Sequence, residues 1–326
     1  MTINDGGAMT DRIRVGVIGA GAFGLAHLNA YLEMPGVQVT AVADPDPQRA
    51  ARALEKAGGA SAFADALDLL DADAVDAVSI VSPGPTHARF AAQAAARGVA
   101  ALVEKPVAVS PAEFGTLRAA SSLAPIVPAH LLRFSSPYAG LRQTIRSGQL
   151  GEVLAVHAQR HRPRDHQVRF ADVGIPLMTT IHDIDLALWL TGEVPTSVVA
   201  VAPVGENGKL GASLSAIMEL ADGRSWSFSS SWLLAGNERC LGDELTVVLQ
   251  AGILRVRFDG SDEDVLHRAL RCELSHFVGC ALRGVPSVVV PLEDALVGIA
   301  LAEAVTTAAV TRTRVPITHE YLTSTI

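Results

Sequence analysis

Three short stretches hold residues whose types and spacing can do chemistry. In "ALVEKPVAV" (101–109) an apolar, strand-like run is broken by Glu104, Lys105 and Pro106 in succession. A buried strand gains nothing from charges at its tip, and proline removes a ladder donor. A lysine there can hydrogen-bond a substrate hydroxyl and stabilise charge as that hydroxyl becomes an alkoxide or ketone. A solvated lysine paired with Glu104 is the plainer alternative. "IHDIDLALWL" (181–190) sets His182 beside Asp183 and Asp185 at the start of an apolar helix. Histidine titrates near neutrality and suits proton exchange with a secondary alcohol. His182 and Asp185 share a helical face, although a histidine capped by its own aspartates has the same spelling.

The third stretch is Gly19-Ala20-Gly21-Ala22-Phe23-Gly24, a G-x-G-x-x-G spacing between an expected strand and an expected helix. Its first glycine makes a tight turn, its second lets backbone approach a pyrophosphate, and its third packs helix on strand. The pyrophosphate then lies at the helix N-terminus. Asp44 lies 20 residues beyond Gly24, where a carboxylate accepts from ribose hydroxyls. Its charge repels the 2′-phosphate of NADP, so NAD is the expected cofactor, while Arg49 is a residue able to hold that phosphate instead. A tight turn with a capping aspartate is the alternative reading.

Other chemistries find less support. His157 and His161 fall on an expected strand, where four residues span about 13 Å at ~3.3 Å each. They cannot share one zinc ion there, and no metal is expected with His166 either. There is no G-x-S-x-G elbow and no Walker loop. Cys240, Cys272 and Cys280 have no CxxC spacing and read as small core residues of a reducing compartment. The net charge of −8 offers nothing to a nucleic acid. Residues 11–30 imitate a secretion signal, but they lack a leucine-rich core and their glycines have a purpose of their own. No segment reads as a membrane span, and the expectation is a cytoplasmic protein.

These residues need elements to hold them. The 326 residues favour two domains. Strands at 13–20, 37–44, 74–82 and 101–106 alternate with helices at 24–34, 47–58 and 85–98, which builds a parallel sheet covered by helices. Ligands bind outside the carboxyl ends of such strands, where Asp44, "SPGPTH" (82–87) and Glu104-Lys105-Pro106 all fall. Beyond about residue 125, the long strand 150–162, a helix at 182–191 and five strand patterns without intervening helices argue a mostly antiparallel sheet. In "SWSFSSSWLL" Trp226, Phe228 and Trp232 share one face and Ser225, Ser227, Ser229 and Ser231 the other. The partition is a tail (1–10), a dinucleotide-binding domain (11–125) and a second domain (126–291), with a terminal apolar helix (292–311) able to return to the first.

Taken together, "GVIGAGAFGLAHLNAYLEMPGVQVTAVADPDPQRA", "SPGPTHARFAAQAAARGVAALVEKP", "RFSSPYAGLRQTIRSGQLGEV" and "IHDIDLALWL" resemble the Gfo/Idh/MocA family of oxidoreductases, in the family's order. The resemblance implies an α/β chain: a Rossmann domain, then an α+β domain whose large open sheet makes a homo-oligomer, dimer or tetramer. It implies hydride transfer between NAD and a sugar, polyol or inositol-like substrate, with His182 as acid/base and Lys105 easing deprotonation. Substrate would meet Lys105, Arg133, His182 and Asp185. The cofactor would meet Gly19, Gly21, Ala22, Phe23, Gly24, Asp44, Ser82, Pro83, His87, Glu104 and Lys105. A structural ion pair is the alternative for Arg133, and a helix cap for His87. One departure stands out: many catalytic members carry an aspartate four residues before the histidine, where this chain has Met178. That keeps an NAD-retaining glycosidase and a non-catalytic dinucleotide sensor in view.

Overall fold

Short apolar strands, each too small to bury itself alone, pair in parallel under alanine-rich helices in the first half of the chain. The computed structural model describes residues 12–206, 208–235, 242–258 and 263–318; the expected tail (1–10) and Cys240 lie outside them. Strands β1 (Ile13–Ile18), β2 (Val37–Ala43), β3 (Ser61–Phe63), β4 (Ala77–Ile80), β5 (Ala100–Glu104) and β6 (Ile126–Ala129) form one sheet in the order β3-β2-β1-β4-β5-β6. Every pairing in it is parallel. The order reverses between β1 and β4, which places a crevice at the carboxyl ends there. Helices α1 (Ala22–Leu32), α2 (Pro47–Lys56), α3 (Ala66–Asp71), α4 (His87–Ala96) and α5 (Phe114–Ser121) connect and cover the strands. Ala88, Ala91, Ala94 and Ala95 of α4 are all buried. Their small side chains let the helix lie close on the sheet. The sixth strand starts one residue past the expected boundary at 125, so the first sheet continues through Ala129.

Helix α6 (Ser136–Arg146) leads into the second half. There β7 (Val153–Pro163), β8 (Ser197–Val201), β9 (Ser213–Glu219), β10 (Ser225–Leu234), β11 (Asp243–Leu249), β12 (Gly252–Phe258) and β13 (Val315–Pro316) form a second sheet. Its order is β12-β11-β7-β10-β9-β8-β13, antiparallel except between β7 and β10. The two-residue alternation along β10 buries Trp226, Phe228, Ser230 and Trp232 and leaves the intervening serines half-exposed. The short α7 (His166–Arg169) and then α8 (Ile181–Thr191) follow β7, and α8 is entered through a π-helical turn at Pro176–Thr180.

Two long helices close the fold. Helix α9 (Glu263–Arg283), which the strand-rich reading of this half passes over, packs against α1 and β5. Its Leu270, Leu274 and Phe277 share a core cluster with Val15, Val17 and Leu28. It therefore covers the first sheet, although it lies within the segment (126–291) expected as a second domain. Helix α10 (Leu292–Thr311) packs chiefly on α8 and β8 and also reaches β6. It is long and apolar enough to cross a membrane, and its packing inside the fold accounts for that composition. Of the cysteines expected in the core, Cys280 is buried but Cys272 is exposed, because 272 falls on the outer face of α9.

Candidate active site

The glycine loop is built as its spacing requires. Gly19 adopts φ +99°, and a Cβ there would stand 2.7 Å from the backbone of Val81. A Cβ on Gly24 would stand 1.9 Å from the Gly19 carbonyl oxygen. Both glycines are demanded by the chain's own packing. Gly21 is different: nothing of the protein lies within 4 Å of a Cβ placed there. It caps α1 with no side-chain hydrogen bond, so the first-turn N–H groups of Ala22, Phe23 and Gly24 face an open cradle. Such a cradle fits a pyrophosphate. At the end of β2, buried Asp44 accepts from the Ala20 N–H (2.7 Å) and the Asp46 N–H (2.9 Å), which ties the glycine loop to the next turn. Arg49 pairs with Asp46 at 3.3 Å.

After β4, the Ser82 hydroxyl bonds Thr86 Oγ1 (2.7 Å), which itself donates to the Pro83 carbonyl. His87 is buried with Nδ1 2.8 Å from the Pro106 carbonyl and Nε2 2.6 Å from the Ser82 carbonyl. Both ring nitrogens are thus engaged by the chain itself, which corrects the expectation of a cofactor contact through them. His87 latches the turn after β4 to the exit from β5.

Lys105 follows β5 and precedes Pro106 through a cis peptide bond. Its Nζ donates to the Met178 carbonyl (3.1 Å) and lies 3.5 Å from Met178 Sδ. Burial lowers its pKa to about 8, with Glu104 opposing the drop and Arg162 and Arg160 adding to it. Met178 sits in the π-helical turn, a local widening common at functional sites. That turn is fixed to β10: Trp232 Nε1 donates to Thr179 Oγ1 (2.7 Å) and Thr180 Oγ1 bonds Ser230 Oγ (3.0 Å). The next turn presents His182. Burial, then the charges of Lys105, Arg160 and Arg162, hold its imidazole well below the usual histidine range. The same charges place Lys105 and His182 within electrostatic reach of one another. In the free chain His182 is therefore neutral near pH 7.

Several participants were not singled out by sequence. Arg160 on β7 is buried and binds Asp183 (2.7 Å) and Asp243 (2.7 Å). Arg162 clasps the same Asp243 with two bonds of 2.6 and 2.8 Å. Asp183 is thereby spent on Arg160. The signal was the parity of β7: Arg160 and Arg162 continue the same face as the buried Val156 and Ala158. Behind Lys105, Glu104 accepts from the Lys105 N–H (3.2 Å) and lies 3.4 Å from His27 Nε2.

Arg133 and Asp185 correct the expectation of substrate contacts. Both are fully buried, and Arg133 binds Asp185 (2.7 Å), Asp294 (2.8 Å) and the Val289 carbonyl (2.8 Å). Burial raises the Asp185 pKa, but His130 and Arg133 outweigh it and hold the carboxyl at about 2. The pair is structural. His157 and His161 bond Ser227 (2.7 Å) and Ser231 (2.8 Å) separately along the outer face of the second sheet.

Comparison with known proteins agrees with this layout. Residues 13–122 match the family model for the oxidoreductase family with an NAD-binding Rossmann fold. Residues 138–255 match the GFO/IDH/MocA C-terminal domain. The rhizopine catabolism protein MocA of Rhizobium meliloti is 32% identical over 90% of this chain and 94% of its own length. An inositol 2-dehydrogenase of Corynebacterium glutamicum (strain R) is 33% identical over 60% of this chain and 59% of its own. The scyllo-inositol dehydrogenase of Lactobacillus casei, solved with bound NAD(H) and scyllo-inositol, shares the fold at TM-score 0.82 and 22% identity, over 93% of this chain and 98% of that one. With both domain models matched in sequence, the chain belongs to the Gfo/Idh/MocA family of NAD-binding oxidoreductases.

Proposed function

We propose that this protein transfers a hydride between NAD and a ring CH–OH carbon of an inositol or a closely related polyol. The observation that supports the reading is the contact between Lys105, at the carboxyl end of β5, and the turn that leads into His182: Lys105 Nζ lies 3.1 Å from the Met178 carbonyl, and the charge of Lys105 acts on the His182 imidazole. The similarity to inositol 2-dehydrogenases supports the substrate class.

NAD, when bound, supplies the hydride acceptor. The chain must then take one proton from the reacting hydroxyl, since oxidising a secondary alcohol to a ketone releases a hydride and a proton. Lys105, lowered to about 8, is neutral in an appreciable fraction near neutrality and is a base at its Nζ. His182 is neutral and offers one ring N–H and one lone pair to a substrate hydroxyl. Their mutual repulsion keeps both from holding a proton at once. Met178, in place of the family's aspartate, holds Lys105 through its carbonyl and sulfur. Aim of the lysine is thus kept without a second carboxylate.

A homo-oligomer built through the open face of the second sheet and a cytoplasmic location complete the reading. The test follows nicotinamide absorbance with NAD across inositol isomers, other polyols, aldoses and aldonates. Native protein, Lys105→Ala and His182→Ala run side by side. NAD reduction by an inositol or polyol, lost in both variants with NAD binding retained, is the expected result. Binding of NAD without turnover of any member of the panel overturns it.

A further inference from the structure

Glu104 and Lys105 are neighbours at the tip of β5 and face opposite ways. Successive residues of a strand alternate faces. While Lys105 Nζ reaches Met178 in the crevice, the Glu104 side chain turns back toward α1. There it meets a buried row of polar side chains that the proposed chemistry does not use. Glu104 Oε2 accepts from the Lys105 N–H (3.2 Å), and Oε1 lies 3.4 Å from His27 Nε2. His27 Nδ1 is 3.3 Å from Ser79 Oγ, and Ser79 Oγ is 2.7 Å from the Tyr31 hydroxyl. His27, Ser79 and Tyr31 are all fully buried.

The direction of these contacts follows from the donors present. Burial pushes the Tyr31 phenol above its usual range, so it keeps its proton. Ser79 is its one hydrogen-bond partner among the described residues, so Tyr31 donates to Ser79, and Ser79 gives its own hydrogen to His27 Nδ1. A ring whose Nδ1 accepts carries its proton on Nε2, the nitrogen that faces Glu104. Nε2 makes no hydrogen bond elsewhere. A second buried carboxyl, Glu273 on α9, packs behind β5 with no donor on either oxygen. Burial, then Glu104 and Asp185, hold it well above the usual carboxylate range. Of the two, Glu104 is the one equipped to bear the negative charge. That charge opposes the lowering of the Lys105 pKa by burial.

We propose that His27 is a positioning residue: by turning its Nε2–H to Glu104, it keeps the negative charge of this buried pair directly behind Lys105. The His27 ring also stands edge-on to Phe23, in the first turn of α1, with centroids 5.0 Å apart. One side chain thereby links the dinucleotide cradle to the lysine. The inference deepens the function proposed above, since it bears on hydride transfer only through Lys105 as the base.

The chain has three lysines, Lys56, Lys105 and Lys209. A pH titration of the full chain carrying isotope-labelled lysine, observed at Cε by NMR, therefore reads Lys105 without turnover, and Lys105→Met assigns its signal. In His27→Asn the shorter amide can meet Ser79 but cannot reach Glu104, whereas in His27→Gln the amide nitrogen takes the place of Nε2. The other charged groups around the pair, Arg160 and Arg162 on β7, His182 and Asp185 on α8, His130 and Glu273, are the same in every variant. The expected result is a Lys105 midpoint lowered by about one pH unit in His27→Asn and close to the native value in His27→Gln. Should His27→Asn not fold by circular dichroism, His27→Leu, which buries no polar atom, is judged by the same criterion. An unmoved or raised midpoint, or an equal shift in the glutamine variant, overturns the proposal. The pH profile of NAD reduction by an inositol should follow the same midpoints. Native protein that turns over no polyol, yet shows the expected NMR shifts, refutes the hydride-transfer function while upholding the role of His27.

Discussion

At the scale of single residues, the titration of two buried groups makes opposite demands. Lys105 must lose its proton to act as a base, and its pKa lies at about 8. Alcohol oxidation should therefore rise about tenfold per pH unit below that value and level off above it, with the reverse reduction falling over the same range. A kcat/KM profile in both directions checks this, and Lys105→Met should remove the inflection along with most of the activity. Glu273 on α9 is the other case. It is 1% exposed and neither oxygen has a partner. Burial, then the carboxylates of Glu104 and Asp185, hold its pKa well above the ordinary range. A raised carboxyl favours folding fully below the unfolded pKa, and that contribution is lost as pH climbs toward the folded pKa. Glu273→Gln, neutral at every pH, should thus raise the melting temperature at pH 8 and have little effect near pH 4. Equal shifts at both values would mean that the fold leaves the carboxyl's pKa where it stands in the unfolded chain.

At the scale of elements, glycine positions separate folding from binding. Gly24→Ala drives a Cβ into the Gly19 carbonyl, so α1 cannot keep its place on β1. That variant should lose stability and NAD together. Gly21→Ala meets no protein atom and should cost less than about 1 kcal/mol of stability, the order of an N-cap change. Its methyl group nevertheless enters the cradle at the start of α1, so NAD affinity should fall at least about tenfold. Equilibrium NAD titration beside thermal unfolding distinguishes the two. This loop was fully legible in the sequence because its requirements are local: a turn, a helix start, a strand end. The same holds for Lys105, whose place at a strand tip is written in six letters. Helix α9 was equally available, since Leu270, Leu274, Phe277 and Ala281 repeat at helical spacing, but charges scattered among them hid the pattern between two strand-rich stretches. The sheet that α9 covers lies far back in the chain, which no local period can state.

At the scale of the whole molecule, what the sequence hides is which charges are spent on holding the halves together. Arg133 lies after the last strand of the first sheet; its partners Asp185 and Asp294 are 52 and 161 residues away. From its surroundings in the sequence it reads as well for a substrate contact as for an ion pair, and only the long-range packing decides. The same packing decides for Asp183, taken by Arg160 from β7, so that of His182, Asp183 and Asp185 only the histidine lies outside these ion pairs. Arg133 joins the end of the first sheet to α8 and α10, the helices that carry His182 and cover the second sheet. Arg133→Met would leave the Asp185 carboxylate buried and stripped of its guanidinium. Breaking one partner of such a pair costs about 3–5 kcal/mol, whereas replacing both by apolar groups is often close to neutral. The single variant should accordingly unfold at markedly lower denaturant, and Arg133→Met with Asp185→Leu should recover part of the loss, with Asp294 still unmatched at the rim. Because the two side chains are buried and spent on one another, the double variant should keep the pH inflection of Lys105 even where its total activity falls. A shifted inflection would instead show that Asp185 acts on the lysine through Glu273 and Glu104, and that the buried charges behind the crevice set its chemistry as well as its stability.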